Sequence, residues 1–164
     1  MINNNQTNRE RTKNSSPTAF ESLSAAKAID DTAILITNKK ISLMTEGLPC
    51  HVENWLRSRT SNENALTISE YILTLRREIN PSQNYTKMQI QALVELSEYL
   101  NQKPFDKLTK DDILSFLDKF RKTEDKDPLH KWIGTYNLKH EILRQFFTWL
   151  NDPNTERNHG SKPK

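Results

Sequence analysis

The chain has 164 residues, with 24 Lys and Arg against 21 Asp and Glu, a formal net charge of +3 and 34% hydrophobic residues. That length allows one domain, or a small domain with a tail. The hydrophobic share falls below the roughly 45–50% of an average globular chain, a benchmark that also counts Gly, and a single cysteine, Cys50, excludes an internal disulfide framework and a Cys-based zinc site.

The shortfall in apolar residues is uneven. Residues 1–18 are almost all polar and rich in Asn and Ser, too poor in apolar surface to offset the entropy of ordering, so a disordered arm is expected there. Ser24 to Ile29 reads as helical, and the β-branched run Ala33-Ile34-Leu35-Ile36-Thr37 as a short strand, with weak or partner-dependent order across 19–46. Gly47-Leu48-Pro49 breaks the chain, and Glu53 to Arg59 suggests a short helix within a linker over 48–60.

Organised structure is expected from Ser61, a candidate N-cap, followed by Leu66, Ile68, Tyr71, Ile72 and Leu75 at helical spacing. Asn80-Pro81-Ser82 ends that helix, because Pro holds the preceding residue in extended geometry. The next carries Met88, Ile90, Leu93, Val94, Leu96, Tyr99 and Leu100, a wide apolar stripe that must pack against something. Thr109 caps a third helix, with Asp111 and Asp112 suiting its positive end and Ile113, Leu114, Phe116, Leu117 and Phe120 on its buried face. After a charged loop over Arg121 to Asp127, Pro128 marks entry to a fourth helix, which stops at Asn151-Asp152-Pro153. The fold expected is all-α: a compact four-helix bundle of about 90 residues over 61–152, a flexible arm over 1–47 and a flexible tail over 153–164.

Catalytic and metal chemistry find little support. His51, His130, His140 and His159 form no metal-ligand pair, and three scattered glycines exclude a phosphate-cradling loop. Cys50 beside His51 has no partner arrangement for a nucleophile. No cofactor, metal or small-molecule substrate is expected. No apolar run approaches the roughly 18–20 residues of a membrane helix, and the N-terminus lacks a signal pattern. An intracellular protein, nucleoid-associated when bound to DNA, is therefore expected.

The fourth helix is different. Residues 128–150 carry three basic residues against one acidic. Ile133, Leu143, Phe146, Phe147, Trp149 and Leu150 read as core. Lys131, Thr135 and Lys139, spaced four apart, share a separate stripe, and Lys with Thr at that spacing suits phosphate contact. Gly134, at the helix start, costs about 1 kcal/mol against Ala, a cost explained by a close backbone approach, a kink or a frayed first turn.

The blocks Phe105-Asp106-Lys107-Leu108-Thr109-Lys110-Asp111-Asp112-Ile113, Asp127-Pro128-Leu129-His130-Lys131-Trp132-Ile133-Gly134-Thr135-Tyr136-Asn137 and Arg144-Gln145-Phe146-Phe147-Thr148-Trp149-Leu150 resemble the SAM-like core-binding domain of archaeal, phage-type tyrosine recombinases (integrases) over about residues 62–153. That family's four-helix domain forms half of a clamp around duplex DNA. The resemblance implies double-stranded DNA as partner, DNA integration and recombination as context, and Lys131, Thr135, Tyr136, Asn137, Lys139 and Arg144 as contact positions. Asn84-Tyr85-Thr86-Lys87 adds Lys87. The family cleaves with a tyrosine assisted by two arginines, a lysine and His/Trp residues in a following domain. The chain stops fourteen residues after Leu150, so that domain is expected to be absent and no enzymatic activity is expected. Two alternatives remain open: a protein–protein interaction module that associates with a recombinase protomer or another partner, and one half of a recombinase whose remainder is encoded downstream.

Overall fold

The computed structural model describes the backbone of residues 19–152 and, Lys27 apart, side chains from Asp31 onward. The expected disordered arm over 1–18 and tail over 153–164 lie outside the described residues. The described residues are all-helical. They form α1 (Ala19–Thr45), α2 (Cys50–Arg59), α3 (Asn62–Ile79), α4 (Gln83–Tyr99), a 3-10 turn (Phe105–Lys107), α5 (Lys110–Asp118) and α6 (Trp132–Asn151). The chain divides into a unit up to Ala33, helical from Ala19, and a second unit that begins at Ile34 and holds every later element.

The expected helices of the bundle correspond to α3–α6, and their boundaries follow from local chemistry. The Ser61 side chain accepts the Asn64 N–H and caps α3, and Asn80 ends it at φ 43°, the left-handed conformation that Asn tolerates better than most residues. Ser82 caps α4 by accepting the Tyr85 N–H. At the far end of α4, the Gln102 N–H reaches the Ser97 carbonyl (2.7 Å) and the Asn101 N–H that of Glu98 (3.1 Å). This is a Schellman closure with Asn, not Gly, in the left-handed position. Thr109 and Asp112 form a reciprocal capping box on α5. Asp112 also accepts Lys103 Nζ at 2.7 Å. The Lys103 hydrogen bond, then those from Thr109, hold its carboxyl at about 2.

The core is built around α4, whose Ile90, Leu93 and Leu96 are fully enclosed. Ile68, Tyr71, Ile72 and Leu75 of α3, Phe116 and Leu117 of α5, and Leu143 and Phe146 of α6 close on it. Aromatic edges meet faces at the centre: Tyr71 on Phe146 (5.2 Å, 85°) and Phe105 on Phe146 (5.0 Å, 74°). Such pairs contribute about 0.5–1.5 kcal/mol beyond their area.

Three expectations need correction. The run Ala33–Thr37 is helix, not strand: it continues α1, whose Thr37, Ile41, Met44 and Thr45 turn inward at helical spacing. The short helix expected at 53–59 is present as α2 (Cys50–Arg59), but the segment 48–60 is not merely a linker. Val52 and Leu56 of α2 are fully buried against the core, each contributing about 1.5–3 kcal/mol, so the folded body reaches back into α1 and does not begin at 61. Ile133, Met88, Tyr99 and Leu114, expected on buried faces, are exposed.

Asn64 has a role its sequence position does not suggest. Its side chain is wholly buried. Its amide donates to Ser97 Oγ (2.9 Å) and the Lys103 carbonyl (3.1 Å), and its Oδ1 accepts the Phe105 N–H (3.3 Å). One side chain of α3 thus satisfies the irregular backbone that follows α4, where burial without partners is costly.

Candidate nucleic-acid interface

The candidate interface lies at the start of α6. Pro128 does not open the helix as expected. The chain turns once more, with His130 at φ 48° and its N–H on the Asp127 carbonyl (2.9 Å). Asp127 Oδ2 then accepts the Trp132 N–H (2.9 Å), taking the part of an N-cap side chain from five residues back. The Trp132 N–H holds the Asp127 carboxyl below its usual value, against the effect of desolvation and with help from the Lys131 N–H.

Beyond this cap, most of the circumference of α6 is open for two turns, while Trp132 and Tyr136 face the body. Lys131, Ile133, Gly134, Thr135, Asn137 and Leu138 are exposed, and only Trp132 and Tyr136 are half-buried. At about 100° per residue these six positions cover an arc of roughly 200° of the helix. A Cβ added to Gly134 would meet nothing within 4 Å, so nothing in the described body requires a glycine there. Tyr136 packs edge-on to Trp132 (6.0 Å, 86°) and parallel to His140 (6.4 Å, 5°). The Trp132 indole Nε1 is buried with no acceptor among the described residues.

The expected cationic stripe does not survive intact. Lys131 and Thr135 are exposed, but one turn on Lys139 has gone inside, 9% exposed. Its Nζ lies 2.7 Å from Glu95 Oε2 of α4 and 5.7 Å from the centre of the Phe120 ring. The stripe lies on the core-facing side of α6: its first two members escape burial only because the helix begins beyond its neighbours. Burial raises the Glu95 carboxyl, but hydrogen bonds from Lys139 and Gln91 and the charges of Lys139 and Lys119 more than offset this, leaving it below its ordinary value. Lys139, expected to face phosphate, is therefore held by Glu95 inside the body, and freeing it would strand Glu95 beside the core.

Arg144 is exposed, but it donates from Nε (2.9 Å) and Nη2 (2.7 Å) to the two oxygens of Glu141. The Arg144 hydrogen bonds, then that from Gln145, hold the Glu141 carboxyl at about 2. Gln145 in turn accepts the Tyr85 hydroxyl of α4 (3.0 Å). Lys87 is not gathered with the α6 residues: it lies over the Trp55 ring of α2 (5.9 Å), whereas α4 meets α6 through Tyr85 and Glu95.

Arg121 belongs near the site although the sequence pattern did not single it out. Its guanidinium lies 5.2 Å from the Tyr136 ring centre and Nη2 donates to the Tyr136 hydroxyl (3.4 Å). Its Nε also pairs with Asp118 (3.2 Å). It sits in an aperiodic charged loop, where no helical period assigns a direction.

Elsewhere the surface offers less chemistry. A groove of about 460 Å³ between α5 and α6, lined by Leu108, Ile113, Leu117, Phe147 and Leu150 with His140, is mainly apolar. Cys50 is exposed, and the neighbouring His51 packs on Trp55 (4.8 Å). Among the described residues no three His, Cys, Asp or Glu side chains gather as metal ligands, and no helix is long and apolar enough to cross a membrane. Comparisons with protein-family models, curated proteins and solved structures find no match.

Proposed function

We propose that the chain is a duplex-DNA-binding module of the integrase core-binding kind, acting in DNA integration or recombination and holding DNA mostly through phosphates. The proposal assigns it no catalytic step. The observation that carries it is the projecting start of α6, which exposes Lys131 and Thr135 side by side on one stripe. Lys131 has no ion pair within 4 Å among the described residues, only the more distant pull of the Asp127 carboxylate, so its ammonium can turn to a phosphate without breaking a close contact. Lys87 is likewise without a carboxylate partner, whereas Lys139 and Arg144 are neutralised within the chain.

Neutralising about two phosphates gives a salt slope of about −2, against about −3 had Lys139 also contributed. A mobility-shift titration tests this. Lys131→Ala is expected to weaken binding to every duplex alike and flatten the slope by about one. An unchanged slope refutes the phosphate assignment. The exposed Leu129, Ile133 and Leu138 on the same projection favour a second reading, a protein-interaction module that joins a recombinase protomer or another protein. Protein association with no retardation of any duplex at low salt selects that second reading.

A further inference from the structure

The Asn137 side chain is exposed and makes no hydrogen bond among the described residues. Ile133, one turn earlier on the same stripe, is 43% exposed. Gly134, one turn before Asn137 and beside it, leaves the helix surface bare, with no neighbour to account for it. A free carboxamide, an exposed branched apolar side chain and a missing Cβ on one face suit a surface that comes close to the backbone and presents both a donor–acceptor pair and a methyl group.

The major-groove edge of an A·T pair has that chemistry: adenine N7 accepts and N6–H donates, a match for a bidentate carboxamide, and the thymine C5-methyl lies beside them. Charge allows it: Lys131 is exposed on this projection, and the one carboxylate at its cap, Asp127, is turned onto the Trp132 N–H. Shape agrees as well. The roughly 12 Å groove admits a helix only where the helix is free of its own fold over much of its circumference, and α6 is so only in its first two turns. Resting on the DNA-binding reading above, we infer that Asn137 and Ile133 are specificity-determining residues. Asn137 pairs with adenine, Ile133 contacts the thymine methyl, and Gly134 lets the helix approach the base edges.

The test uses the full chain. Duplexes retained from a randomised library at low salt are expected to share an A·T pair. Replacing its adenine by 7-deazaadenine removes the N7 acceptor and is expected to weaken wild type by about 5- to 100-fold, but to leave Asn137→Ala unaffected. Replacing its thymine by uracil removes the methyl group and is expected to weaken wild type but not Ile133→Ala. Ile133→Ala should bind random duplex as wild type does, since an aliphatic side chain makes no polar contact to phosphate. Duplex binding with no shared base pair, or an A·T preference that Asn137→Ala retains together with its 7-deazaadenine sensitivity, overturns the readout and leaves the phosphate reading standing. Retardation of no duplex at low salt overturns both.

Discussion

Lys139→Met separates folding from binding more cleanly than any other substitution on α6. Methionine keeps most of the length and apolar contact of the lysine stem while removing the charge that meets Glu95 at 2.7 Å. Breaking a fully buried pair by removing one partner costs about 3–5 kcal/mol, and an exposed pair is worth about 0–1. Here the Lys139 side chain is 11% exposed and that of Glu95 23%, and Gln91 still donates to Glu95. A cost of about 2 kcal/mol at neutral pH is therefore expected, read as a urea midpoint lowered by about 1 M for a domain of this size. Glu95 has a depressed folded value, so its contribution is present above its ordinary carboxylate value and lost as pH falls through the folded one. The gap between wild type and variant should accordingly narrow on acidification below the usual glutamate range. Adding Glu95→Gln to the variant should recover part of the loss, and the DNA salt slope should not move. A variant as stable as wild type, with a slope flattened by about one, would return Lys139 to the DNA face and refute the burial reasoning.

Gly134→Ala should stabilise the protein by up to about 1 kcal/mol, because Ala is the better helix former and its Cβ meets open space. The same change should weaken DNA binding if base edges approach there, and thermal melts set beside mobility shifts check both signs. Asn64→Ala should cost about 2–3 kcal/mol in chemical denaturation, since it orphans the buried Phe105 N–H and Lys103 carbonyl, whereas a loss under about 0.5 would refute the hub. Thr109→Ala should cost about 1 kcal/mol through the lost cap of α5. In a carboxyl NMR titration Asp112 should titrate at about 2, and in Thr109→Ala it should rise only part of the way toward the ordinary aspartate value, because Lys103 and the backbone N–H at 109 still donate to it.

Helix punctuation was legible in the sequence because it is local. Ser61 and Thr109 act on backbone groups within a turn of themselves and cap as expected; the helix also stops at Asn80 as expected, but Asn80 closes it in the left-handed conformation and not the extended one that Pro81 suggested. What was illegible depends on where a helix lies against others. The period of α6 groups Lys131, Thr135 and Lys139, but only the position of α4 decides that the first two are exposed and the third is enclosed with Glu95. The run Ala33–Thr37 has the β-branched content of a strand, and tertiary burial of Thr37, Ile41 and Met44 outweighs that weak preference. Val52 and Leu56 gave too short an apolar pattern to show that α2 belongs to the core, and Arg121 had no period at all.

The closure after α4 has a kinetic consequence. Asn101 and Gln102 both adopt left-handed backbone, at φ 52° and 61°, a conformation that costs L-residues roughly 1–2 kcal/mol each. What holds the segment that follows is Asn64, and its hydrogen bonds to Ser97, Lys103 and Phe105 span 33 to 41 residues of sequence. An isolated α4 with its following turn would lack that support, so the end of α4 and the approach to α5 should set late, only once α3 has docked. The turn couples the first half of the bundle to the second, and their opening should appear in hydrogen exchange as one cooperative event, not as separate fraying of α4.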